Sequence, residues 1–117
     1  MQNKRNTGSI YEKIAGEYLQ SLGYEILEYN FRCRQGEVDI VARHQDYFVF
    51  VEVKYRRNTD KGMPAEAITY AKQRKISRCA QQYLYQHRFL DASVRFDVVS
   101  VLGDQITVIQ NAFDFMN

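Results

Sequence analysis

Between Gly36 and Lys54 the chain alternates in a way that predicts a β-hairpin. Two runs rich in β-branched and aromatic residues, Val38-Asp39-Ile40-Val41-Ala42 and Tyr47-Phe48-Val49-Phe50-Val51-Glu52-Val53, flank the polar stretch His44-Gln45-Asp46. A turn at Gln45-Asp46 sets His44 opposite Tyr47 and, counting back, Asp39 opposite Glu52. Side chains alternate along a strand, so Glu52 and Lys54 share a face with Asp39, Val41, Phe48 and Phe50. Val38, Ile40, Val49, Val51 and Val53 then form the other face, wholly apolar. With both faces apolar enough to be covered, this reads as the centre of an α/β sheet. A slip of one residue would drive Asp39 into the valine face, so the pattern itself selects the register.

The rest of the chain supplies the cover. Tyr11, Ile14, Ala15, Tyr18, Leu19 and Leu22 recur at helical spacing, which predicts a helix over residues 8–22, capped by Thr7 or Ser9 and stopped by Gly23. Residues 1–7 are polar and are expected to be disordered. Tyr24 to Phe31 predicts a first strand, so residues 24–56 hold three. Tyr55 to Gly62 reads as a polar loop. Pro64 suits a first helical position; a short helix over 65–68 and a longer one from Tyr70 to His87, capped by Thr69, are expected within residues 64–88. Ile76, Ala80, Tyr83, Leu84 and His87 should face the sheet, and His87 reads as structural. Two more strands, within residues 94–110, flank Gly103-Asp104. Asp97 reads as a paired structural acid, and Phe113 and Phe115 should dock the tail. With 117 residues and no composition break, this is one domain.

Asp39, Glu52 and Lys54 are the residues this pattern does not explain. A charge in a covered sheet is costly unless it is paired or binds a metal. Directly opposed residues have Cβ atoms about 5 Å apart. Two carboxylates that close repel each other, and a divalent cation between them removes the repulsion. On a helical wheel of about 100° per residue, Glu12 falls beside Leu19 at the edge of the apolar stripe, while Glu17 falls nearly opposite it. Glu12 can therefore reach inward; taken alone, it fits a surface position better.

An Asp followed by a strand carrying Glu-x-Lys resembles the active-site signature of the PD-(D/E)xK nuclease superfamily. The wider set, Gly8-x3-Glu12-x2-Ala15-x3-Leu19, Gly23-Tyr24, Gly36-Glu37-Val38-Asp39, Phe50-Val51-Glu52-Val53-Lys54, Arg95-Phe96-Asp97-Val98 and Asn111-Ala112-Phe113, resembles the YraN family of small bacterial proteins and spans nearly the whole chain. Val38 stands where the superfamily name has Pro. The resemblance implies a restriction-endonuclease-like α/β fold with an αβββαβ core, a mixed central sheet flanked by helices, similar to archaeal Holliday-junction resolvases. It also implies Glu12, Asp39, Glu52 and Lys54 as catalytic residues. A homodimer is the assembly to look for, since a junction has two symmetric cuts.

The chemistry asked of such a site is phosphodiester hydrolysis. Mg²⁺, or Mn²⁺ in its place, takes few protein oxygens and leaves room for water and phosphate. Asp39, Glu52 and the carbonyl of Val53 suit it as ligands. Composition adds little: 45% hydrophobic and 26% charged residues describe an ordinary folded chain, and a formal charge of +2 does not announce a nucleic-acid binder. The basic residues are nevertheless clustered, with Arg56, Arg57 and Lys61 after the hairpin and Lys72, Arg74, Lys75 and Arg78 on the following helix. Arg56, Arg57, Lys72 and Lys75 are the expected phosphate contacts. Cys33 and Cys79 lack metal-site spacing and read as free thiols in a reducing cytoplasm. No signal peptide or membrane span is expected. Two functions follow: a metal-dependent endonuclease acting on DNA, branched or structured DNA included, or a nuclease-fold module that binds nucleic acid or a protein without cutting. A bare Asp–Lys–Glu ion network ranks below both, because its desolvation is rarely recovered.

Overall fold

The computed structural model describes residues 4–57 and 68–117, with side chains from Ile10 onward. Helix α1 (Lys4–Ser21) leads into a meander of three strands, β1 (Glu25–Cys33), β2 (Gly36–His44) and β3 (Tyr47–Arg56). Helix α2 (Tyr70–Gln86) then crosses to β4 (Ser93–Leu102), which turns back into β5 (Gln105–Phe113). The sheet runs β1-β2-β3-β4-β5 in space, with β3 and β4 parallel and every other pair antiparallel. A parallel pair needs a crossover, and α2 belongs to it.

The two apolar faces each acquire a helix. On one, Ala15 and Leu19 of α1 pack with Tyr24, Ile40, Ala42, Val49, Val51, Val99 and Val101. On the other, Ile76, Cys79, Ala80 and Tyr83 of α2 pack with Phe31, Val41, Phe48, Phe50 and Phe96. Thr69 caps α2 by accepting from the Lys72 N–H, and His87 closes it, its Nδ1 2.8 Å from the Tyr83 carbonyl. The tail docks as Phe113 stacks on Phe96 and the Met116 N–H reaches Ser77.

Several expectations need correction. Helix α1 begins at Lys4, so Lys4–Thr7 are helical and Thr7 and Ser9 lie inside the helix. Nothing in that polar segment breaks a helix, and Lys and Arg favour one. The α1 stripe is narrower than its pattern, with Ile14 and Leu22 exposed and Ala15 and Leu19 fully buried. Val38 joins the α2 face, not the face of Ile40. Of the expected short helix over 65–68, residues 65–67 fall, like Lys61 and Pro64, outside the described residues, and Ile68 is not helical. Cys33 and Cys79 are not free thiols: they form a disulfide between β1 and α2, with Cα atoms 5.3 Å apart. Both half-cystines lie among the side chains of the α2 core, so the same packing that joins strand to helix brings the sulfurs together. The redox argument for a compartment therefore lapses. Among the described residues no helix is long and apolar enough to cross a membrane.

Candidate active site

The sheet loses its regularity at Asp39. On one side β1 pairs Tyr29 with Ile40 and Phe31 with Val38, which leaves Asn30 facing Asp39. Asn30 has a left-handed backbone, φ 57°, a conformation Asn tolerates better than most residues. That irregularity breaks the alternation and carries Val38 to the α2 face. On the other side the β2–β3 ladder has the predicted register and ends at Ile40 opposite Val51. The next backbone donor on β3 is met by a side chain: Val53 N–H donates to Asp39 Oδ2 at 2.8 Å. A buried N–H needs a partner, and here Asp39 replaces the missing strand. In an extended strand the N–H and C=O of one residue point the same way, so the Val53 carbonyl faces the same opening.

Three acids from two elements converge on this opening. Glu12 of α1, Glu37 of β2 and Asp39 of β2 each offer one carboxylate oxygen within 4.8 Å of the others. Asn30 and Asp39 are near enough to Glu12 to act on its charge, Asn30 favouring the ionised form and Asp39 opposing it. Glu17, one and a half turns along α1, is exposed. Glu37 lies in the Gly36-Glu37-Val38-Asp39 motif, which by itself assigns it no role. Its signal was the i, i+2 spacing to Asp39, which places two strand residues on one side. It also lies 3.6 Å from Arg32.

Glu52 stands beside the three acids and does not belong to their cluster. It is 7% exposed, and its Oε2 lies 3.2 Å from Lys72 Nζ. No donor among the described residues reaches its buried Oε1. Burial, and then the charge of Asp39, push Glu52 up to about 7. Glu12 also rises to about 7, first from burial and then from Asp39. Burial raises Asp39 as well, against the opposing pull of the Val53 N–H and of Lys72. Crowded carboxylates held away from water favour their protonated forms, and a divalent cation would relieve the same repulsion. The donor set is all oxygen, which suits Mg²⁺ or Mn²⁺ and not a thiophilic metal.

The basic residues divide. Lys54, half-buried on β3, acts on Glu52 more weakly than Lys72 does. Lys72, though exposed, reaches into the site from its rim to pair with Glu52. Lys75 approaches the β1–β2 turn, where a Cβ added to Gly36 would lie 3.6 Å from its own Cβ. Arg56 and Arg57 end β3, and the Arg56 carbonyl accepts from Gly103 N–H at 2.9 Å. Asp97 does not belong to the acid cluster. Its two oxygens take Arg95 at 2.9 and 2.8 Å, the Tyr24 hydroxyl at 2.7 Å and the Asn111 N–H at 3.0 Å.

A mixed five-stranded sheet between two helices is an α/β domain consistent with a restriction-endonuclease-like core. Comparison with known proteins narrows this to a family. Residues 11–101 match the family described as "Uncharacterised protein family UPF0102", and the chain belongs to it, the YraN family. A UPF0102 protein of Lachnoclostridium phytofermentans is 52% identical over 113 residues, covering 96% of each chain. Another, of Acetivibrio thermocellus, is 49% identical over 95% of this chain and 93% of its own. A third, of Caldanaerobacter subterraneus subsp. tengcongensis, is 46% identical over 85% of this chain and 81% of its own.

Proposed function

We propose that this protein is a metal-dependent endonuclease that hydrolyses phosphodiester bonds in DNA, branched or structured DNA included. The observation that carries the reading is the oxygen cluster of Glu12, Glu37 and Asp39 beside the orphaned, buried Oε1 of Glu52. A module that only binds has no use for acids held so close together, since Glu12, Asp39 and Glu52 are each disfavoured in their charged forms without a cation.

Asp39, Glu52 and the Val53 carbonyl would hold Mg²⁺ or Mn²⁺ in this proposal, with Glu12 and Glu37 as further oxygen donors beside them. The ion, when bound, makes a water more acidic and neutralises charge on the phosphate. The residues do the rest. Asp39 is fixed by its bond to Val53, so its free oxygen is preorganised. Lys54, one strand step from Glu52, orients the attacking water and donates to the phosphate oxygens as negative charge grows there. Water oxygen bonds to phosphorus, one phosphoester bond breaks, and the water proton ends on the leaving oxygen. Arg56, Arg57 and Lys75 contact flanking phosphates. A DNA substrate puts the protein in the cytoplasm, and a junction with two symmetric cuts would suit a homodimer.

The test is a cleavage panel of linear duplex, single-stranded, flap and four-way DNA with Mg²⁺ and with Mn²⁺. Cleavage by the wild type that disappears in Asp39→Ala and Glu52→Ala is the expected result. No cleavage of any substrate by the pure wild type would overturn the nuclease reading and leave the binding module.

A further inference from the structure

Lys72 is held at Glu52 by construction. Its Cα is fixed in the first turn of α2, where its own N–H is capped by Thr69 Oγ1 at 3.2 Å. The helix below it is anchored by Ile76, Cys79, Ala80 and Tyr83, all buried against the sheet. From that position the ammonium reaches Glu52 Oε2 at 3.2 Å, and its charge is also felt by Asp39.

The pairing is lopsided. The Glu52 side chain is 9% exposed, whereas that of Lys72 is 46% exposed. A carboxylate can accept about four hydrogen bonds, and the Glu52 oxygen beyond Lys72 has no donor among the described residues. Glu52 is therefore a buried acid with one half-solvated partner. Lys72 can swing into water at small cost, because its stem is flexible and its head is already wet. Glu52 cannot follow. A cation that takes the carboxylate would release the lysine and leave it at the mouth of the opening, on the N-terminal turn of a helix, where an anion is favoured.

We infer that Lys72 is a second active-site lysine, which competes with the divalent cation for Glu52 and, once displaced, contacts the phosphate being cut. The competition needs only that the acids bind a cation. The phosphate contact rests on the nuclease reading. Lys54 and Lys72 then divide the labour: one lies on the strand beside the metal ligands, and the other arrives from the helix across the sheet face.

Mn²⁺ titration by calorimetry tests the first half without any activity. Lys72→Met keeps the apolar stem and removes the charge. It should bind Mn²⁺ more tightly by about tenfold, a modest share of what a unit charge at contact distance exerts in a partly solvated site. Lys13→Met, an exposed change on α1, should bind as the wild type does. Single-turnover cleavage at saturating Mg²⁺ tests the second half. Lys72→Met should be slower by about two orders of magnitude, with Lys72→Arg recovering part of the loss. Thermal melts of each variant show that the fold is retained. Unchanged or weaker Mn²⁺ binding by folded Lys72→Met would overturn the competition and reduce Lys72 to a structural ion pair. Tighter binding with wild-type cleavage rates would uphold the competition and overturn the phosphate contact. Tighter binding with no cleavage by the wild type on any substrate would sink the nuclease reading while the competition stands.

Discussion

Two polar clusters are buried in this sheet, and they are built on opposite principles. Around Asp97 every charge is answered. Arg95 makes two bonds to the carboxylate, Tyr24 and the Asn111 backbone add two more, and Arg95 Nη2 lies 2.9 Å from His44 Nδ1, with the His44 ring stacked on Tyr24. Around Asp39 like charges crowd together, and a buried Glu52 oxygen lacks a donor among the described residues. The first arrangement fastens the end of β1, β2, β4 and β5 to one another. The second is strained in a manner that a cation would relieve. Buried charge alone thus does not mark a functional site; its state of satisfaction does.

The contrast is broken most forcefully at Asp97. Asp97→Ala leaves the Arg95 guanidinium buried and unpaired, and should cost about 3–5 kcal/mol in urea unfolding. Glu52→Gln, equally buried, should leave stability unchanged or raise it when divalent cations are absent, because it removes a charge that nothing fully answers. A comparable loss at both positions would erase the distinction.

Lys54→Ala sharpens it from the functional side. An interaction made only as charge builds on the phosphate changes rate and not ground-state binding. Cleavage in Mg²⁺ should fall by about two to four orders of magnitude, while DNA affinity in Ca²⁺ and the melting temperature stay near wild type. A parallel loss of DNA affinity would make Lys54 an ordinary phosphate contact.

The smallest effect, and the most diagnostic, is in pH. Glu12 and Glu52 titrate near 7 in the folded chain against 4.5 for a free glutamate. Each is protonated more readily when folded, so the stability it lends is complete below pH 4.5 and lost as pH climbs to 7. His44 runs the other way: burial, then Arg95, lower it from 6.5. Its stability is present above 6.5 and lost as pH falls through its folded value. Melts in chelator should therefore decline on the alkaline side in the wild type and less so in Glu52→Gln. Stabilisation by Mn²⁺ should grow over the same pH interval, because the cation must displace protons to bind. Mn²⁺ stabilisation that is flat between pH 4.5 and 7 would show that these acids are not its ligands.

What could be read from the sequence was what local periodicity encodes. The hairpin register, the Thr69 cap and the Gly103-Asp104 turn all follow from residues within a few positions of each other, whereas the helical wheel only permits an inward Glu12 and the family resemblance selects it. What could not be read depends on contacts across the fold. Lys72 and Glu52 are separated by a crossover, so nothing in the spacing of either announces the pair, and the Cys33–Cys79 disulfide hides for the same reason. Glu37 was legible in principle from its spacing to Asp39. Taken alone, a glutamate beside a turn is ordinary. The shift of Val38 needed the backbone of Asn30, which perfect alternation conceals.

The parallel pairing of β3 with β4 also bears on the order in which the molecule assembles. Tyr47 pairs with Ser93, whereas the β2–β3 hairpin closes through a turn between His44 and Tyr47. Loop closure across the crossover is entropically dearer, so the hairpin is expected to form earlier and the βαβ unit to be the slow step. Asp39 and Glu52 would then face each other in a young hairpin before α2 has docked to bring Lys72. During that interval the two acids have only protons or cations to neutralise them, and divalent ions in the refolding buffer should speed the committed step as well as stabilise its product.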